Sequence, residues 1–163
     1  MVDVQNQPDT RRIKIDKVGV KDIRYPITVM DKNHEAQRTV ASVNMYVDLP
    51  HHHKGTHMSR FIEVLSTHRD SISTQSIPTI LSDMKSRLDA ASAHLELSFP
   101  YFIEKKAPVS GALSLMEYTC TLFGQQENGK PDLTVGVSVP ITTLCHCSKE
   151  ISSCGAHNQR GVV

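Results

Sequence analysis

From Ala41 to Leu49 every second residue is apolar: Ala41, Val43, Met45, Val47 and Leu49, with Ser42, Asn44 and Asp48 among those between. Side chains of an extended chain alternate between its two faces, so this run reads as a strand with one face buried and the other wet. A single strand of that kind cannot stand alone. It needs neighbours along its edges and a layer over its apolar face.

The flanking segments read as those neighbours. Residues 13–32 hold Ile13, Ile15, Val18, Val20, Ile23 and Ile27, interrupted by Gly19 and Pro26, which predicts an irregular or bulged strand. Pro50 ends the strand over 39–49. A helix is expected to begin near Thr56 or Ser59 and to carry Phe61, Ile62, Val64 and Leu65. A polar connector over Ser71–Ser76 leads to a second helix, from about Pro78 to His94, with proline in its first turn. Its apolar stripe is Ile77, Leu81, Met84, Leu88, Ala91 and Leu95, with Asp83 and Arg87 as an i,i+4 ion pair.

Two further strands are expected over roughly Leu95–Lys105 and Leu113–Gln126. The turn Glu127-Asn128-Gly129-Lys130 then leads to Leu133–Ile141, Asn-Gly being a strong hairpin signal. The aromatic run Phe99-Pro100-Tyr101-Phe102 reads as core, and Lys105-Lys106 as solvated. Strands, two helices, then strands give an α+β layer: an antiparallel sheet with a helix pair on one face.

Composition removes several function classes. A formal net charge of +1 over 163 residues leaves no basic footprint for nucleic acid or an anionic membrane. No apolar run approaches a membrane span, and the N-terminus, Met1-Val2-Asp3-Val4, is polar and unlike a secretory signal. A cytoplasmic protein with reduced thiols is therefore expected, in which clustered cysteines among the four bind metal or react more often than they cross-link.

Three constellations stand out. Cys145-His146-Cys147-Ser148-Lys149-Glu150 is followed by Gly155-Ala156-His157-Asn158-Gln159-Arg160. On a strand end Cys145 and Cys147 point the same way, Ser148 can cap a short helix, and His157 can fold back as a second ligand. Thiolate and imidazole bind zinc and its neighbours well, and an incomplete shell is what a catalytic site needs. The plain alternative is buried thiols beside a surface histidine. The second constellation, Lys54-Gly55-Thr56-His57-Met58-Ser59-Arg60-Phe61, opens a helix, where backbone N–H groups favour a phosphate; a solvated loop is the plain alternative. The third, His51-His52-His53, has the composition of a metal-binding tract, with an exposed polar loop as the default reading.

Together, Lys54–Phe61 as KGTHMSRF, Phe99–Phe102 as FPYF, Ala107–Gly111 as APVSG, and TLCHCSKEIS with GAHNQR over 143–160 resemble GTP cyclohydrolase I type B, with the motifs in the same order from about Ile13 onward. The resemblance implies a tunnelling fold: a four-stranded antiparallel sheet with two helices on one face, order ββααββ. It implies hydrolysis of GTP to 7,8-dihydroneopterin triphosphate and formate, the first step of folate biosynthesis, in a homo-oligomer with sites between subunits. By matching position it implies Cys147 as the catalytically essential cysteine, and Cys147 and His157 as ligands of a divalent metal (Zn, Mn or Fe) that would activate water for attack on the guanine C8. Lys54, His57, Arg60, Gln159 and Arg160 are its candidate substrate contacts.

Two departures accompany the resemblance. His146 stands where the family usually has proline. The family also has two consecutive units, so residues 1–12 are expected to be a polar lead-in, 13–145 a first unit, and 146–163 the start of an active-site segment. A further metal-ligand carboxylate and a guanine anchor are then expected outside the chain, on a second-half chain, with no GTP turnover by this chain alone. The other readings are a different tunnelling-fold pterin or deazapurine enzyme, and a non-catalytic metal-binding or assembly module.

Overall fold

The computed structural model describes residues 13–30, 36–51, 55–144, 150 and 156–162, with the backbone alone for 142–144 and 156–162. Strands β1 (Ile15–Met30), β2 (Ala36–Leu49), β3 (Ala93–Lys106), β4 (Leu113–Glu127) and β5 (Lys130–Ser138) form one antiparallel sheet in chain order. Helices α1 (Met58–His68) and α2 (Ile77–Leu88) enter between β2 and β3 and cover one face. Strands β6 (Pro140–Leu144) and β7 (Ala156–Val162) pair as a second, two-stranded antiparallel sheet.

The α+β layer with a helix pair is as expected, but the main sheet has five strands and not four. Asn128 and Gly129 both take positive φ, 50° and 78°, which folds β5 back along β4 with Glu127 opposite Lys130. The strand expected to reach Ile141 stops at Ser138, because Pro140 has no N–H to give to a continuing ladder and instead begins β6.

The buried alternation is Ala41, Val43, Met45 and Val47 on β2 and Ala93, Leu95, Leu97 and Phe99 on β3, packed beneath Phe61, Val64, Leu81 and Met84 of the helices. Helix α2 ends at Leu88, six residues before the expected His94. Asp89 turns left-handed (φ 51°, ψ 51°), and the Ala90 N–H bonds to the Lys85 carbonyl at 3.0 Å, closing the last turn. Leu95 continues the helical spacing by coincidence, since its burial comes from the β3 alternation.

The connector after α1 is not simply polar. Ile72 is buried and bridges Val29 in parallel, with Ile72 N–H to the Thr28 carbonyl and Met30 N–H to the Ile72 carbonyl, both at 2.9 Å. This segment covers the outer edge of β1 over 28–30. Strand β1 is bulged as expected, with register shifts between Ile15 and Val18 and between Val20 and Ile23. Asp22 (φ 56°) sits in the second bulge and gives its N–H to Asn44 Oδ1 at 2.7 Å.

The β2–β3 ladder stops at Ser42 opposite Ser98, two residues before Pro100. Side chains take over there. Thr39 Oγ1 donates to the Pro100 carbonyl at 2.9 Å, while Gln37 Nε2 donates to the Phe102 carbonyl at 2.9 Å and its Oε1 accepts the Phe102 N–H at 2.7 Å. Of the aromatic run expected as core, Phe99 is buried but Phe102 is 38% exposed, because alternation turns it to the face without helices.

Candidate functional site

The residues marked by sequence divide into two groups. The first lies at the start of α1. His57 occupies the N-cap in an extended conformation (φ −82°, ψ 107°) with no side-chain capping bond, and its carbonyl accepts the Arg60 N–H at 3.1 Å. The first turn holds no acidic residue, so no carboxylate there offsets the positive end of the helix dipole. Thr56 is buried and His57 half-buried. Lys54 lies outside the described residues, as do His52 and His53, while His51 is exposed.

Arg60 also ties the helix ends together. Its Nη1 donates to the Arg87 carbonyl at 2.8 Å, satisfying an acceptor of the last turn of α2. Lower down, Asp83 is gripped from both sides, by Arg87 Nε at 2.7 Å as expected and by His68 Nε2 at 3.1 Å, a contact that spacing on one helix does not reveal. Burial pushes the Asp83 carboxyl upward, but the hydrogen bonds and charges of Arg87 and His68 outweigh it and hold it below the ordinary carboxylate value.

The second group lies on the β6–β7 hairpin. Pro140 pairs with Val162, Ile141 with Gly161, Thr142 with Arg160 and Leu144 with Ala156. Between the last two pairs β6 advances by one intervening residue, Thr143, and β7 by three, His157, Asn158 and Gln159. The backbone of His157 and Gln159 thus belongs to a bulge, the irregularity that re-aims side chains next to functional sites. Cys145, Cys147, Ser148 and Cys154 lie outside the described residues, and the side chains of His157, Gln159 and Arg160 are not among those described. Among the described residues no three His, Cys, Asp or Glu side chains form a group that could hold a metal ion.

The whole chain, residues 1–163, matches the family model for type I GTP cyclohydrolase folE2. The chain belongs to this family. Curated relatives named GTP cyclohydrolase FolE2 agree: the protein of Geobacter sulfurreducens (strain ATCC 51573 / DSM 12127 / PCA) is 64% identical over 160 residues, 98% of this chain and 62% of its own length. That of Syntrophotalea carbinolica (strain DSM 2380 / NBRC 103641 / GraBd1) is 62% identical over 163 residues, 100% of this chain and 61% of the relative. That of Geobacter metallireducens (strain ATCC 53774 / DSM 7210 / GS-15) is 62% identical over 160 residues. The chain spans about three fifths of the length of the curated relatives it matches.

Sequence reasoning passed over one polar region that the fold assembles. On the sheet face without helices, Lys17, Tyr46, His94, Glu96, Phe123 and Gln125 line a cavity of about 260 Å³. Its polar groups already bond within the sheet: Asn44 Nδ2 donates to Glu96 Oε2 at 3.0 Å, and Gln125 Nε2 to Asp132 Oδ2 at 3.3 Å. The alternate polar positions of β2 and β3 were the only sign of it in the sequence. At Cys120 burial pushes the thiol upward, which disfavours the thiolate form. Among the described residues no helix is long and apolar enough to cross a membrane.

Proposed function

We propose that the protein carrying this chain is a metal-dependent GTP cyclohydrolase, hydrolysing GTP to 7,8-dihydroneopterin triphosphate and formate. The observation that carries the reading is the family match over residues 1–163, with KGTHMSRF and GAHNQR intact within it. Cys147 and His157 would hold a divalent metal, and a thiolate with an imidazole suits zinc or iron better than manganese. When bound, such a metal supplies Lewis-acid activation of water, which opening the guanine imidazole ring requires.

The β6–β7 register supports this pairing. Leu144 stands opposite Ala156. Cys147 is three residues beyond Leu144 in the chain and His157 one beyond Ala156, so chain connectivity tethers both to the same end of the hairpin. His57, Lys54, Gln159 and Arg160 are proposed to contact the substrate, the cationic start of α1 suiting the triphosphate. Arg60 is proposed to face the same ligand with the guanidinium nitrogens other than the Nη1 bound to Arg87. The insertion of two helices after the second strand supports a tunnelling fold. Residues 13–145 are proposed as one unit and 146–163 as the start of the active-site segment, in a cytoplasmic homo-oligomer.

Metal content and formate release test the two parts separately. Cys147→Ala is expected to lower bound metal at least ~10-fold and formate release to background. Metal content equal to the wild type would remove Cys147 from the site. Absence of formate from the metal-loaded wild-type protein, at the length of its relatives, would overturn the activity.

A further inference from the structure

Arg60 and Arg87 meet in an arrangement that calls for a third residue. The last carbonyls of a helix have no partner within it. At the end of α2 the left-handed Asp89 and the Ala90 N–H close on the Lys85 carbonyl, and the Arg87 carbonyl is taken by Arg60 Nη1 at 2.8 Å. The negative end of the α2 dipole favours a cation there. A guanidinium is planar and its N–H groups form a rigid fork, so seating one nitrogen sets the plane in which the others point. Arg60 is thereby aimed from α2, although it belongs to the first turn of α1.

The residue that supplies this carbonyl carries a guanidinium of its own. Left free, the Arg87 side chain would repel Arg60 and compete with it for an anion at the start of α1. Asp83, one turn earlier on α2, prevents both. Its Oδ1 accepts from Arg87 Nε at 2.7 Å, and its Oδ2 faces His68 Nε2 of α1 at 3.1 Å. The hydrogen bond and charge of Asp83 hold the Arg87 pKa above its ordinary value, with a last, smaller contribution from Glu63. The Asp83 side chain is only 24% exposed, so salt and water screen these contacts less than they would a surface pair. Arg60, Arg87, Asp83 and His68 thus form one chain of polar contacts that ties both ends of α1 to α2.

We propose that Asp83 is a positioning residue for substrate binding: by holding the Arg87 side chain along α2, it keeps Arg60 seated on the Arg87 carbonyl with its remaining nitrogens toward the triphosphate. This rests on the proposed contact between Arg60 and GTP. Asp83 acts through Arg87 and Arg60, without touching substrate. The triphosphate is not the part of GTP that reacts when the guanine ring opens. Its contacts therefore serve ground state and transition state alike and are read in KM and not in kcat.

The test uses the metal-loaded protein at the length of its relatives. Asp83→Asn keeps the shape and removes the charge. It is expected to raise the KM for GTP at least ~5-fold, with kcat within ~2-fold and metal content unchanged. Binding of inorganic tripolyphosphate, followed by calorimetry, is expected to weaken by a similar factor. Adding Arg87→Gln removes the released cation, and the double variant is expected to return both values to within ~2-fold of the wild type. A second substitution of that kind would not repair damaged helix packing, which separates positioning from a merely structural role. Wild-type KM and tripolyphosphate affinity in Asp83→Asn, or a double variant as impaired as the single one, would overturn the proposal. If Asp83→Asn does not fold, the double variant decides, since a KM still at least ~5-fold above wild type overturns it. Absence of formate from the wild type removes the cyclohydrolase reading, while tripolyphosphate affinity still reads the role of Asp83.

Discussion

His94 shows how much a single residue owes to its surroundings. It stands between Ala93 and Leu95 on β3, on the wet side of an alternating strand, and is one of nine histidines in the chain. Packing against the cavity and the nearness of Lys17 push its pKa below the ordinary 6.5, against the opposing pull of Glu127 and Asp48. The unfolded chain therefore binds a proton near the ordinary value while the folded one resists it. Where the unfolded state holds more protons, stability rises with pH. Unfolding free energy measured in urea is thus expected to fall between about pH 7.5 and about pH 5.5, and His94→Gln to flatten that part of the profile. A profile unchanged by the substitution would remove His94 from the account. Nothing local to the residue announces this, since both the burial and Lys17 arrive from other strands. Gly129, by contrast, was readable where it stands, because an Asn-Gly pair between alternating runs has one comfortable conformation.

At the scale of elements, strand existence and helix starts were written locally, and element ends were not. Pro100 illustrates the difference. It withholds an N–H from a strand flanked on both sides, which argues against an interior position. The fold tolerates it because Gln37 and Thr39 replace the missing ladder with side-chain bonds. Gln37→Ala removes two bonds to Phe102. It is expected to cost about 1–2 kcal/mol and to speed amide exchange at Phe102 while leaving Leu95 and Leu97 protected. Equal acceleration across β3 would mean that the Gln37 bonds serve the whole sheet and not the end of β3 alone. The end of α2 was invisible for a related reason: a helical stripe and a strand alternation share Leu95, and only the left-handed Asp89 separates them.

For the molecule as a whole, the decisive contact is the approach of the helix layer to the sheet. Gly124 lies opposite Leu133 and beneath α2, where an added Cβ would stand 2.5 Å from Ile77 Cγ2 and 3.2 Å from Leu81 Cδ1. Ile77 is buried and its methyl has nowhere to swing. Gly124→Ala is expected to destabilise by about 1–3 kcal/mol through overpacking, read as a lowered thermal midpoint; an unchanged midpoint would mean that the helix layer yields freely. By itself the sequence determined the layer type, the order of strands and helices, the turn at Asn128-Gly129 and the motif residues of the family, because each rests on spacing along a short stretch of chain. Tertiary structure alone decided the separate two-stranded sheet, the division at Pro140, the Arg60–Arg87 tie and the bulge that carries His157 and Gln159. Those depend on which distant backbone groups find each other, and pairing between segments far apart in the chain leaves no periodicity in either one.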